Sequence, residues 1–167
     1  AQITDGAAWV ILASEEMVAR YDLPVLGQLT DSQWAGLDPA QMGLGPVHAM
    51  APIMQRQGFD SPDIDYWEIN EAFAAQVLSC LAAWEDDGFC RDELGLDSPF
   101  CAIDQERLNI DGGAIGIGHP VGASGARIVL HLLKTLERNN ARRGMASLCI
   151  GGGQGGALLI ERSGGAD

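Results

Sequence analysis

Two glycine-rich stretches each hold one reactive side chain. In CIGGGQGGALLIER (residues 149–162), Cys149 stands directly before a run of glycines. In GGAIGIGHPVGASGAR (residues 112–127), His119 lies in a second glycine bed. The two stretches raise the question of what chemistry needs a thiol and an imidazole, each held where side chains have been cleared away. Glycines let the backbone come close to a ligand, which leaves the N–H of Gly151 available as an oxyanion donor. A helix entered near Pro120 would aim its free N–H groups and positive dipole end at the space beside His119, which suits negative charge. A third polar group, Asn70, opens the stretch NEAFAAQ at another strand-to-helix entry.

The hydrophobic pattern places these groups on an alternating framework. Strands are expected at residues 7–13 (AAWVILA), 24–30 (PVLGQLT) and 65–69 (DYWEI), with a final pair in MASLCI and GGALLIER. Helices are expected at 14–22, opening at Ser14, at 46–57, opening at Pro46, at 70–86 and at about 120–139. Residues 31–45 read as a loop, and 87–108 as an acidic, poorly periodic insertion or loop. The order β-α-β-α-β-α-β-β predicts an α/β fold: a mixed, mainly parallel sheet with helices on both faces. Ligands in such sheets gather where strands lead into helices, and Asn70, His119 and Cys149 all fall at such places.

Composition narrows the function. The chain has 167 residues and a formal net charge of −13, with Lys134 as its single lysine, which argues against nucleic acid as a partner. No apolar run is long enough for a membrane helix, and a soluble, cytoplasmic protein is expected. The start at Ala1 reads as that of a piece of a longer protein. Dinucleotide binding fails because the third glycine of GxGxxG is Val121, and no Gly-Lys pair exists for a phosphate loop. The cysteines Cys80, Cys90, Cys101 and Cys149 form no CxxC pair, so no metal is expected. Cys80 reads as a core residue, and a Cys90–Cys101 disulfide is a minor alternative. His48 and His131 read as structural.

NEAFAAQ, GGAIGIGHPVGASGAR and CIGGGQGGALLIER resemble, in this order, three signature blocks of the C-terminal half of thiolases; TDGAAWVILAS and MGLGPVHA resemble its opening segments. The likeness covers almost the entire chain, and residues 1–167 are read as one thiolase C-terminal domain, with the stretch from about Asp86 to Arg107 longer and more acidic than the family pattern. It implies reversible thiolysis of a 3-ketoacyl-CoA, with coenzyme A as co-substrate and no permanently bound cofactor. By resemblance, Cys149 is the acid/base, His119 an oxyanion donor that also tunes Cys149, and Asn70 the holder of a water. The N–H of Gly151 matches a second oxyanion donor. Ala72 and Phe73 match an acyl pocket, although Phe73 reads equally well as core. The resemblance further implies that an N-terminal half supplies the acyl-accepting cysteine, that the chain by itself is inactive, and that the full protein is a homo-oligomer, dimeric or tetrameric. The other readings are a non-enzymatic half that binds CoA esters, a cysteine hydrolase using Cys149 with His119, and another condensing enzyme of the same superfamily.

Overall fold

A computed structural model describes residues 2–162. After α1 (Glu15–Tyr21), the chain forms β1 (Gln28–Gly36), a 3-10 turn (Pro39–Leu44), α2 (Gly45–Gln57) and β2 (Tyr66–Ile69). There follow α3 (Ala74–Glu85), α4 (Asp87–Asp92), the single turn α5 (Ala114–Ile117), α6 (Ser124–Arg138) and the final strands β3 (Arg143–Ile150) and β4 (Gln154–Glu161). The four strands lie in the order β1-β4-β3-β2.

The α/β architecture agrees with the sequence, and both faces of the sheet carry helices. Alternation along each strand produces this arrangement. On β3 and β4, Met145 and Leu159 face the cluster built by Val47, Met50, Ile53 and Met54 of α2. Their neighbours Ala146 and Ile160 face Ile128, Leu132 and Leu136 of α6. Each fully buried aliphatic or methionine side chain contributes roughly 1.5–3 kcal/mol.

Several expectations need correction. The sheet is not mainly parallel: only β2 and β3 run parallel, whereas β4 is antiparallel to both β3 and β1. The reason is the tight turn after β3, which returns the chain as a hairpin. Residues 7–13 form no strand, because a strand needs a hydrogen-bonded neighbour and none lies beside them. Trp9, Ile11 and Leu12 are instead exposed. The second expected strand lies further along, at Gln28–Gly36, despite its polar residues. It is a sheet edge, so polar side chains can face water. An irregularity between Leu29 and Asp31 presents Asp31 to Arg56, whose guanidinium grips the carboxylate at 2.7 Å.

The acidic stretch after α3 is not a loose insertion. Cys90, Leu96 and Ile103 are buried, and Phe100 stacks on Trp84 at 4.7 Å. All four cysteines are free. Among the described residues no helix is long and apolar enough to cross a membrane.

One close approach fixes how α2 sits on the sheet. A Cβ at Gly155 would strike the carbonyl of Gly45, and one at Gly45 would meet the backbone of Gln154 and Gly155. Gly155→Ala should therefore destabilise the protein by about 1–3 kcal/mol, the usual cost of overpacking. Gly36→Ala meets nothing within 4 Å and should be neutral or slightly stabilising. Urea unfolding of the two variants checks this pair; equal stabilities would refute the assigned role of the close approach.

Candidate active site

The parallel pair β2–β3 brings two of the expected groups to one end of the sheet. Ile69 pairs with Ser147, and the N–H of Asn70 donates to the Ser147 carbonyl at 2.9 Å. Cys149 lies two residues further along β3, in register with Gly155 of β4. Asn70 was expected to begin a helix, but α3 starts only at Ala74. Residues 70–73 form a bent elbow, and this frees the Asn70 side chain from capping.

His119 reaches the same place from the opposite side of the chain. Its ring Nε2 lies 3.4 Å from Asn70 Nδ2, and its Nδ1 lies 2.6 Å from Ser124 Oγ. Ser124 also donates to the Pro120 carbonyl at 3.2 Å. The helix expected from 120 begins at Ser124; the carbonyl of Pro120 accepts from Ala123 and Ser124, so the preceding residues form a turn that leads into it. The His119 pKa is lowered, first by burial and then by the Arg127 charge, which favours the neutral ring. Arg127 in turn donates to the Gly118 carbonyl at 3.0 Å and so braces the residue before the histidine.

Asn70 is 2% exposed, and its Oδ1 has no hydrogen-bond partner. Buried polar atoms nearly always have one, so an orphaned acceptor beside a histidine marks a place for a donor from outside the chain.

Cys149 is 6% exposed, and burial pushes its thiol above the usual value. The expected lowering by His119 is not found: no hydrogen bond joins the two among the described residues, and desolvation dominates. The other thiols are less suited to act as a nucleophile. Burial, followed by the nearby Cys149, drives Cys80 up to about 12 against the lowering contact of Gln76. Cys90 is wholly buried. Cys101 is exposed, but its thiol donates to Asp60 at 3.0 Å, and that carboxylate raises its pKa.

Gly151 lies exposed at the tip of the β3–β4 turn, where Gly152 and Gly153 take φ of 88° and 80°. Ala72 is buried behind Asn70, whereas Phe73 is 60% exposed, which removes its reading as plain core. His48 is structural: it packs edge-on against Phe89, 5.6 Å between ring centroids.

The sequence reading missed the residues that pin the loop carrying His119. Asn109, at φ 47°, accepts from the Ile69 N–H at 3.0 Å and donates to the Ile69 carbonyl at 2.9 Å. It thus continues the free edge of β2 with a side chain. Glu71 accepts from Asn109 and from the Ile115 N–H, at 3.1 and 3.2 Å. Asp111 accepts from His131 and Arg138 of α6, at 2.9 and 2.6 Å. The one signal available beforehand was the placing of Asn109 and Asp111 just ahead of the glycine bed.

Comparison with known proteins places this geometry in context. The sequence profile described as "Thiolase, C-terminal domain" matches residues 23–162. A probable acetyl-CoA acetyltransferase of Escherichia coli (strain K12) is 43% identical over 96% of this chain and 36% of its own length. The peroxisomal 3-ketoacyl-CoA thiolase 1 of Arabidopsis thaliana is 41% identical over 99% of this chain and 34% of its own. The crystal structure of human mitochondrial 3-ketoacyl-CoA thiolase in complex with CoA superposes with a TM-score of 0.75 at 36% identity, over 91% of this chain and 34% of that one. The chain thus spans about a third of the relatives it matches. Extensive identity over nearly the whole chain, together with a shared fold, makes this chain a member of the thiolase family, corresponding to its C-terminal domain.

Proposed function

We propose that this chain supplies the proton-handling half of a thiolase site, in a protein that cleaves a 3-ketoacyl-CoA into acetyl-CoA and a shortened acyl-CoA. The observation that carries this reading is the orphaned, buried Asn70 Oδ1 beside the His119 ring. An acceptor in that position holds one O–H of a water, and the water's second O–H is then directed at an enolate oxygen. When Ser124 turns its hydroxyl from the Pro120 carbonyl to Nδ1, the ring proton lies on Nε2, which then serves as the other donor in place of accepting from Asn70 Nδ2.

In the cleavage direction, a nucleophilic cysteine in the N-terminal half attacks the 3-keto carbonyl. The bond between C2 and C3 breaks, and its electron pair passes into the enolate of acetyl-CoA. Asn70's water and His119 stabilise that charge, while the Cys149 thiol protonates C2. Burial suits this role, because it keeps the proton on sulfur until a strong base forms. The resulting thiolate takes the proton of an incoming CoA thiol, which attacks the acyl-enzyme and leaves as acyl-CoA. The N–H of Gly151 donates to the thioester oxygen, and one such donor contributes roughly 3 kcal/mol to lowering the barrier. Ala72 and Phe73 line the acyl pocket. Coenzyme A is a co-substrate in this scheme, and the remaining protein binds most of it, in keeping with the scarcity of basic residues here. The exposed apolar residues Trp9, Ile11, Ile117 and Val121 fit a surface covered by the N-terminal half. A cytoplasmic homo-oligomer completes the reading.

In the full-length protein, Cys149→Ala should still become acylated from acetoacetyl-CoA but should cease to exchange the α-protons of acetyl-CoA with deuterated water. Normal exchange would remove Cys149 from the acid/base role. His119→Ala should lower kcat by about a hundredfold or more, the usual effect of losing an oxyanion donor, with the thermal midpoint little changed. A change confined to KM would make the histidine a binding residue only.

The 167-residue chain alone should neither consume acetoacetyl-CoA nor accumulate an acetyl adduct on intact-mass analysis, because none of Cys80, Cys90 and Cys101 is both accessible and activated. Multiple turnovers by the isolated chain would refute the division of labour between the halves.

A further inference from the structure

His131 has a geometry that a merely structural histidine does not need. It lies on α6, two turns beyond Ser124. Its Nδ1 is 2.6 Å from Glu68 Oε1, and its Nε2 is 2.9 Å from Asp111 Oδ2. A neutral imidazole has one N–H and one lone pair, so it can donate to only one of two carboxylates. Two such short contacts tie the ring to both carboxyl groups at once. Arg138 adds a second donor to Asp111, at 2.6 Å. The deepest member of the site, Glu68, is 5% exposed.

The three elements joined here are those that build the candidate site. Glu68 lies two residues before Asn70 on β2, and Asp111 opens the loop that ends at His119. His131 belongs to the helix whose first residue holds the His119 ring. The loop is also held through Asn109 to Ile69, through Ile115 to Glu71, and through Gly118 to Arg127. Of these attachments, the Asp111–His131–Glu68 bridge is the one in which a single side chain ties the loop to α6 and β2 together.

We propose that His131 is a positioning residue: by bridging Glu68 and Asp111, it holds the 109–119 loop at the distance from β2 that keeps His119 against Asn70. The charged groups facing this cluster are Glu68 and Glu71 from β2 and its elbow, Asp111 from the loop, and Arg138 from α6 itself. Burial raises the Glu68 carboxyl to about 6, in part offset by His131. The role rests on the thiolase reading for its consequence in catalysis, but not for its effect on the loop.

The test uses the full-length protein with His131→Gln, which keeps one donor, and His131→Leu, which keeps none. Hydrogen exchange should accelerate at the Gly112, Ile115, Gly116 and Gly118 amides in both variants, more so in His131→Leu, while β3 and β4 amides stay unchanged. In thiolysis, kcat should fall about tenfold to a hundredfold with KM within about twofold, the expected result of a misplaced donor. Exchange rates that rise uniformly, or a kcat that stays at the wild-type value, would overturn the proposal. Should the wild-type protein itself lack thiolysis, the thiolase reading fails, and the loop amides alone decide the positioning role. Should His131→Leu not fold, His131→Gln carries the same comparison.

Discussion

The parallel pairing of β2 with β3 is the constraint from which the site follows. Parallel strands end together, so the residue after β2 and the end of β3 arrive at one edge of the sheet. The bond from the Asn70 N–H to the Ser147 carbonyl sets that alignment to within a single residue. A slip by one position would turn Cys149 to the α6 face and exchange the two cores. The packing of Met145 and Ala146 against opposite helices therefore also protects the chemistry.

Electrostatics in this domain divides by depth. The surface is strongly acidic, whereas the groups read as reactive are electrically quiet: His119 is held neutral and the Cys149 thiol protonated, both chiefly by burial. The charged side chains nearest them are Arg127, which braces Gly118, Glu71, which follows Asn70, and the cluster of Glu68, Asp111, His131 and Arg138 on the α6 side of the sheet.

Much of this was legible in the sequence. The apolar runs of α2, α3, β3 and β4 match the elements that form, and Asn70 and His119 do meet. The misses have physical causes. Residues 7–13 have the composition of a strand, but composition cannot supply a partner strand. Asp31, Ser32 and Gln33 look like a loop because an edge strand tolerates polar residues. Residues 87–108 have weak periodicity because they pack piecemeal against Trp84 and not as one element. The Asn109 latch joins residues 40 positions apart in the chain and leaves no periodic trace.

The contact of Gly45 with Gly155 has a consequence for how this protein can change over time. Where two backbones touch, no side chain intervenes to be enlarged or trimmed, so the spacing of α2 from the sheet beneath Cys149 is fixed. Changes of shape therefore cannot arise by gradual resizing of that floor. They have to come from the rim, where Ala72 and Phe73 form a non-helical elbow and where substitutions act without lifting a helix off the sheet. The fold thus separates an immutable floor from an adaptable rim.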